Sequence, residues 1–394
     1  MDMIKLCAGA ALLALPAAVS AQTGGFVTRL GADTTSVERY VRSADKIEGT
    51  IVSRSPITSV TKYTYWIAKD GSIAALELAQ LQPNGTPAPN ASTGMKMTFI
   101  GDSVVREMIS AAGVASSRHT AVPKGTLPAV GNSLIFYQYV LAQARRAGEV
   151  NVIGFGPNNS ATKVNVHVIS ADSAEVVNQG FRTGYKTDKD GHVLRSDGSL
   201  TTQKFVGTAV KDVDAPAIAT AWSLKDAAGQ KMGAASTRDT AKAVIGGANV
   251  LVDYGRPAMR GREIWGKLVP FDTVWRFGAN WAAQFKTDKN LEIGGKAIPA
   301  GTYTIWLLPS AKQTMLVVSK LTMSPPPVVQ SGQPAPAQRA LWGTEYDAAF
   351  DVARIPMEKR SFKDSAERFT TSFSTDDLVI QWDKAGYAVK IKAK

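Results

Sequence analysis

The chain has one cysteine, Cys7, and three histidines, His119, His167 and His192, in 394 residues. Because Cys7 falls in a leader-like segment, the mature protein is expected to have no disulfide, thiol nucleophile or cysteine metal site. All three histidines precede the midpoint, so the second half holds neither a Ser-His-Asp triad nor a histidine metal site of its own. No apolar run reaches the ~20 residues a helix needs to cross a bilayer. No glycine-rich loop follows a strand and opens a helix, which leaves nucleotide chemistry without support. No repeat of fixed period links the two halves. Acidic residues are also in deficit, with 33 Asp and Glu against 45 Lys and Arg, a net charge of +12.

The N-terminus combines Lys5, an apolar run from Leu6 to Val19, and small residues at Val19 and Ala21. This pattern predicts a signal peptide over residues 1–21 and an exported protein, periplasmic or extracellular, with no integral span after cleavage. Cleavage removes Asp2 and Lys5 together and leaves the charge unchanged. A basic exported protein suits an anionic envelope polymer or acidic glycan, and export argues against nucleic acid as a partner. At 44% hydrophobic and 20% charged residues, the composition is that of a folded globular protein long enough for two domains.

Short runs rich in Val, Ile, Thr and Tyr, separated by turns such as Asp70-Gly71, Asp190-Gly191 and Asp197-Gly198, predict a mainly β fold. Residues 22–210 read as an antiparallel meander or half-barrel with one helix. Asn132 is the expected cap of that helix, Leu134, Tyr137, Leu141 and Ala144 its apolar face, and Gly148 its stop. The stretch 82–94 reads as an exposed loop, and 211–232, rich in Ala, Asp, Gly and Lys, as a linker. Residues 233–394 read as a β-sandwich or jelly-roll-like domain with a proline-rich exposed loop over 323–339.

The densest chemistry lies between Asp253 and Phe285, where three tryptophans and four arginines sit among turn-forming glycines and prolines. Arg256, Arg260, Arg262 and Arg276 suit bidentate contacts to carboxylate or phosphate. Trp265, Trp275 and Trp281 offer flat apolar platforms, and Tyr254 and Asn280 complete the expected ligand-binding set. The competing reading is structural: the arginines pair with Asp253, Glu263 and Asp272 and stack on tryptophans to hold a long connection on the sandwich. Those three carboxylates also form the basis of a hydrolase reading, provided folding sets two of them across one bond. Asp188-Lys189-Asp190-Gly191 lacks the full calcium-loop pattern and reads as a hairpin, Ser59 and Lys62 fall on opposite faces of a strand, and His167 reads as a sheet-surface residue. No metal or cofactor is expected.

The runs Ser236-Thr237-Arg238-Asp239-Thr240, Asp253-Tyr254-Gly255-Arg256-Pro257, Arg260-Gly261-Arg262, Trp265-Gly266, Val274-Trp275-Arg276 and Gly278-Ala279-Asn280 resemble a family of exported bacterial proteins, domain of unknown function 2911. The similarity continues through Ile293-Gly294-Gly295-Lys296, Pro299-Ala300-Gly301-Thr302-Tyr303, Trp342-Gly343, Tyr346-Asp347 and Leu378-Val379-Ile380-Gln381-Trp382, over roughly residues 235–394. The resemblance implies a domain limit and export, and it supplies no catalytic residues. The proline-rich insertion before Trp342-Gly343 departs from the shorter connection expected there. These readings together favour a non-catalytic envelope binding or structural protein for an anionic or carbohydrate-containing ligand. A carboxylate-dependent glycan hydrolase and a carrier of an apolar ligand in the N-terminal half-barrel are the alternatives.

Overall fold

The computed structural model describes residues 21–54, 56–88, 94–110, 113–154, 160–178, 181–199, 204–323 and 340–394. Residues 1–20 of the expected leader, 89–93 of the expected loop and 324–339 of the proline-rich stretch lie outside these. The chain divides into two compact units. One comprises Met1–Thr28, Thr35–Arg54 and Thr58–Gly229; the other comprises Arg29–Thr34, Ser55–Ile57 and Gln230–Lys394. Both are mainly β, as the short β-branched and aromatic runs predict.

The first unit begins with β1 (Gln22–Leu30), β2 (Asp33–Arg42), β3 (Lys46–Ser53), β4 (Ser59–Ile67) and β5 (Ile73–Leu81). Next come β6 (Gly94–Ile100), β7 (Ser103–Ser110), β8 (Gly113–Ala121), β9 (Leu127–Pro128) and α1 (Ile135–Ala147). After the helix run β10 (Val150–Ile153), β11 (Thr162–Ser170), β12 (Ser173–Asn178), β13 (Phe181–Thr187), β14 (Val193–Asp197), β15 (Phe205–Val210) and α2 (Ala215–Ala227). All fifteen strands form one sheet in the order β8 down to β1, then β15 down to β9. The sheet is therefore two meanders joined where β1 meets β15, and the short β9 joins its neighbour β10 in parallel.

The sheet curls. The Tyr65 hydroxyl on β4 donates to the Pro128 carbonyl on β9 at 3.2 Å, and Arg106 on β7 reaches the Gly154 carbonyl after β10 at 3.5 Å. Helix α1 lies inside the curl, where Ile135, Phe136, Val140 and Leu141 join Tyr63, Tyr65, Leu76 and Met97 from one arm and Val164, Val176 and Tyr185 from the other. The opposite face is covered by α2, whose Ala215 and Ala219 pack on Val37, Val52 and Val60. The stretch expected to be a linker thus contains a helix, capped by the Asp214 side chain on the Ala217 N–H. Its weak apolar periodicity hid it: among its side chains only Ala215 and Ala219 are fully buried.

Asn132 is not the cap of α1. It adopts φ 64° in the preceding turn, and Gly148, with φ 73°, ends the helix as expected. The exposed N–H groups of the first turn are met instead by Glu38 from β2, which is only 2% exposed. Its carboxylate accepts from the Leu134 N–H at 2.6 Å, the Ile135 N–H at 3.4 Å, the Ser133 hydroxyl at 2.7 Å and the Tyr63 hydroxyl at 2.6 Å. A negative group belongs at a helix N-terminus, where unpaired N–H groups and the helix dipole both favour it. This one arrives from a strand 95 residues earlier.

The second unit contains β16 (Ser236–Ile245), β17 (Ala248–Pro257), β18 (Ala283–Thr287), β19 (Leu291–Ile293), β20 (Lys296–Ile298) and β21 (Gly301–Leu308). β22 (Met315–Ser319), β23 (Asp351–Pro356), β24 (Glu358–Ser374) and β25 (Asp377–Ala393) follow. A six-stranded sheet, β16-β17-β18-β21-β22-β23, shares one core with a four-stranded sheet, β20-β19-β25-β24. Val252, Tyr254, Phe285, Ile305 and Leu307 from the first pack with Phe369, Ile380, Trp382 and Ile391 from the second, a two-sheet sandwich. Among the described residues no helix is long and apolar enough to cross a membrane.

Glu38 should carry a large share of the first unit's stability. Glu38→Ala leaves two hydroxyls and two N–H groups without their acceptor and is expected to cost about 3 kcal/mol or more in denaturant unfolding; a loss below about 1 kcal/mol would show that water replaces it. Burial holds the Glu38 carboxyl above its ordinary value, against the four donors that oppose the shift. Between the ordinary and the raised value the folded chain keeps a proton that the unfolded chain has released. The group's contribution to stability is therefore greatest below the ordinary carboxyl range and declines as pH rises through the raised value. Relative to Glu38→Gln, which does not titrate, the parent chain should lose stability on that rise.

Candidate functional site

The segment that connects β17 to β18, residues 258–282, is held against the sandwich by the side chains expected to bind a ligand. Arg256 pairs with Asp239 at 2.8 Å and donates to the Phe369 carbonyl and the Thr370 hydroxyl on β24. Arg260, 7% exposed, bonds Asp33 at 2.6 Å and the Met232 carbonyl, while its N–H donates to Glu367. Arg262 folds back on the carbonyls of Met259 and Ala258 at 2.9 and 2.6 Å. Burial, and then the neighbouring Arg260 charge, lowers its pKa. Three of the four arginines thus face protein acceptors, the structural alternative of the sequence reading.

The aromatic residues follow the same pattern. Tyr254 is 1% exposed and its hydroxyl accepts the Thr371 N–H at 2.9 Å. Trp275 stacks on Trp382 with ring centres 5.9 Å apart and meets Phe369 edge-on at 5.2 Å. Phe277 and Tyr254 meet the same Phe369 ring edge-on. Trp265 donates to the Trp382 carbonyl and meets Tyr387 at 5.0 Å, and it lines a cavity of about 320 Å³ with Phe271, Gln313 and Lys359. The glycines of the segment allow this closeness. A Cβ on Gly278, whose φ is 138°, would lie 2.4 Å from the Gly255 carbonyl oxygen.

Arg276 is the exception. It follows Trp275, whose N–H and carbonyl bridge to Leu307, so its side chain leaves the opposite face of that bridge. Val274, on the same side, packs with Trp306 and Tyr346. The Arg276 stem lies across Gly343, where a Cβ would come within 2.2 Å of its Cδ. That approach explains why glycine follows Trp342. Backbone bonds from Gly343 to the Asn280 carbonyl and from Ala282 to the Leu341 carbonyl hold the two segments together. Asn280 contributes that carbonyl, while its side chain is exposed at φ 64°. Among the described residues the Arg276 Nε meets no acceptor and no acidic group pairs with the guanidinium. Burial alone pulls its pKa down to about 10. A partly desolvated guanidinium without a counter-charge has the chemistry to take an anion.

The carboxylates proposed for hydrolysis do not converge. Asp253 pairs with Arg238 at 2.8 Å, Glu263 and Asp272 are exposed, and none of the three lines the cavity beside Trp265. Ligand atoms of Asp188, Asp190 and His192 lie within 4.8 Å of one another, the one such group among the described residues. Asp188 is already occupied by the hairpin: it accepts the Asp190 and His192 N–H groups and contacts His192 Nδ1 at 2.9 Å. His167 is exposed on β11. Sequence reasoning missed Arg106, which is 6% exposed inside the curled sheet. Its signal is the alternation Val104, Arg106, Met108 on one face of β7, with an arginine where an apolar residue is due.

Because four aromatic rings converge on Phe369, Phe369→Ala is expected to destabilise the chain by about 3–5 kcal/mol in urea unfolding. A cost near 1 kcal/mol would mean that the rings close the gap and that the tryptophans are not locked by packing.

No curated protein matches the chain in sequence. A crystal structure of a DUF1089 family protein from Pseudomonas aeruginosa is similar at 12% identity and a TM-score of 0.31, over 49% of this chain and 95% of that one. A score that low carries no argument about fold or function. The family resemblance read from the signature runs has a direct counterpart: residues 236–391 match the family described as protein of unknown function (DUF2911).

Proposed function

We propose that the chain is an exported, non-catalytic binding protein, periplasmic or extracellular, whose C-terminal unit takes an anionic group of an envelope polymer or acidic glycan at Arg276. One observation carries this reading. Arg276 is the signature arginine that burial strips of water without a carboxylate among the described residues to compensate it. An uncompensated, partly buried charge lowers stability, so a structural role alone gives no reason to keep it. A net charge of +12 would draw polyanions toward the surface and leave selection among them to such a site. The inward pairing of Arg256, Arg260 and Arg262 with protein acceptors supports placing the ligand at Arg276, with the exposed Asn280 of the same segment.

A second reading has its own observation. In the first unit an apolar cavity of about 200 Å³, lined by Ala129, Val130, Phe136, Tyr137, Val140 and Val164, lies between α1 and the sheet. This favours a carrier of an apolar group in the half-barrel.

The test of the first reading pairs binding with stability. The purified mature chain is titrated with lipopolysaccharide, anionic wall fragments, acidic glycans and neutral glycans. Arg276→Met should abolish binding to the anionic members and raise Tm by about 2–4 °C, as removal of an unpaired buried charge predicts. Failure of the parent chain to bind any anionic member, or a variant that binds equally well, would refute it. Cell fractionation that leaves the chain uncleaved in the cytoplasm would refute the exported part.

A further inference from the structure

The inner face of β25 extends past the core of the second unit. Val389 and Tyr387 are buried in that core, whereas Ala385, on the same face, is only half-buried. Lys359 on β24 stands directly opposite Tyr387, so the two side chains share this face. At the same end β21 and β22 are joined through Ser310 to Thr314. The Asp272 N–H donates to the Pro309 carbonyl at 2.7 Å and the Met357 N–H to the Thr314 carbonyl at 2.9 Å, which fastens both flanks to that turn. The cavity of about 320 Å³ beside Trp265 is lined by these pieces.

Three of its lining residues are aromatic: Trp265, Phe271 and Tyr387. Trp265 and Tyr387 meet almost at right angles, at 86°. Phe271 lies against Gly266, where a Cβ would come within 2.8 Å of the ring, and the φ of 84° there also calls for glycine. The Trp265-Gly266 pair of the signature thus places two rings at the cavity. Tyr387 is only 6% exposed, yet among the described residues its hydroxyl meets no hydrogen-bond partner. Buried tyrosine hydroxyls ordinarily find one, as those of Tyr254 and Tyr303 do in the same unit.

The polar groups around the rings narrow the ligand. Gln313 donates to the Met357 carbonyl at 2.8 Å and to the Thr314 carbonyl at 3.4 Å, which occupies its amide hydrogens and leaves its oxygen as an acceptor. Lys312 and Lys359 are exposed, and among the described residues neither pairs with an acid. Glu358, the acidic group of the lining, pairs with Arg360 at 2.8 Å. An apolar ligand would leave the Tyr387 hydroxyl unpaired, and a cation would meet two uncompensated lysines. A sugar ring has apolar C–H faces for the aromatic residues and hydroxyls for Tyr387 and Gln313, and a carboxylate on it answers the lysines. Small-molecule pockets begin at about 300 Å³, so this one suits a single ring.

We propose that this cavity binds one pyranose unit that carries a carboxylate, a uronic acid residue. Its ring lies against Trp265 and Phe271, a hydroxyl bonds Tyr387, and the carboxylate meets Lys312 and Lys359. The site shares no residue with Arg276 and does not rest on the reading proposed for that arginine.

Ligand-observed NMR titration of the full chain tests it with methyl glucuronide, methyl glucoside, acetate and tetramethylammonium. The glucuronide should bind in the millimolar range or tighter, and each of the others at least about fivefold more weakly. Tyr387→Phe, which removes only the hydroxyl oxygen, should weaken the glucuronide about threefold or more. Lys359→Gln, on an exposed side chain, should reduce it toward the glucoside. Lys242→Gln, an exposed lysine elsewhere in the unit, should leave it unchanged, which separates the site from net charge. No saturable binding of the glucuronide, or glucoside binding as tight, would overturn the uronic acid site. Acetate as tight would leave a simple anion site in its place, and tetramethylammonium as tight an aromatic cage for cations. Glucuronide binding that neither Tyr387→Phe nor Lys359→Gln alters would overturn the cavity as its location and leave the Arg276 reading standing.

Discussion

A carboxylate with almost no access to water ties the first unit together. Glu38 projects from β2 into the curl and receives the first N–H groups of α1 together with the hydroxyls of Ser133 and Tyr63. The helix fills the interior that the sheet alone would leave open, so its position decides where Tyr65, Leu76 and Val164 meet. A polar anchor in an apolar core restricts the helix to one register and one direction, because any other placement buries the carboxylate without donors. The two-armed sheet needs such a device: strands far apart in its order, such as β4 and β9, touch only because α1 stands between the arms.

The second unit solves a comparable problem with rings instead of a charge. Tyr254, Trp275, Phe277 and Trp382 converge on Phe369, while Arg256 and Arg262 fasten the connecting segment through backbone carbonyls. Residue types that suggest a cleft therefore serve as cement. Aromatic and guanidinium groups suit both tasks because each combines a large flat surface with directional donors. What separates the two roles is whether a donor finds a protein acceptor. Arg276 finds none among the described residues.

The mainly β character, the many antiparallel hairpins, the inner helix with its glycine stop and the family signature were all legible in the sequence. Alternation, turn residues and the spacing of Leu141 and Ala144 are local, and local patterns record local structure. Other features were not legible. Asn132 has the right side chain and nearly the right position for a cap, yet Glu38 performs the task, because nothing near α1 records a carboxylate brought in from another strand. Helix α2 was read as a linker since small alanines touch the sheet where a bulkier stripe would have announced itself. Arg106 passed unnoticed because one charge in a strand is unremarkable until the face it points to is known.

The sequence by itself determined the type of most elements, the lack of thiol chemistry in the described chain and the absence of histidine chemistry in the second half, since these depend on which residues exist and on their near neighbours. Only the tertiary structure decided which charges are compensated. Arg256, Arg260, Arg262 and Arg276 lie within 21 residues and are chemically identical. Three meet acceptors on β24, at Asp33 or on nearby carbonyls, and one meets none among the described residues. Desolvation and pairing are properties of three-dimensional surroundings assembled from distant segments, so no spacing rule along the chain could have told these arginines apart.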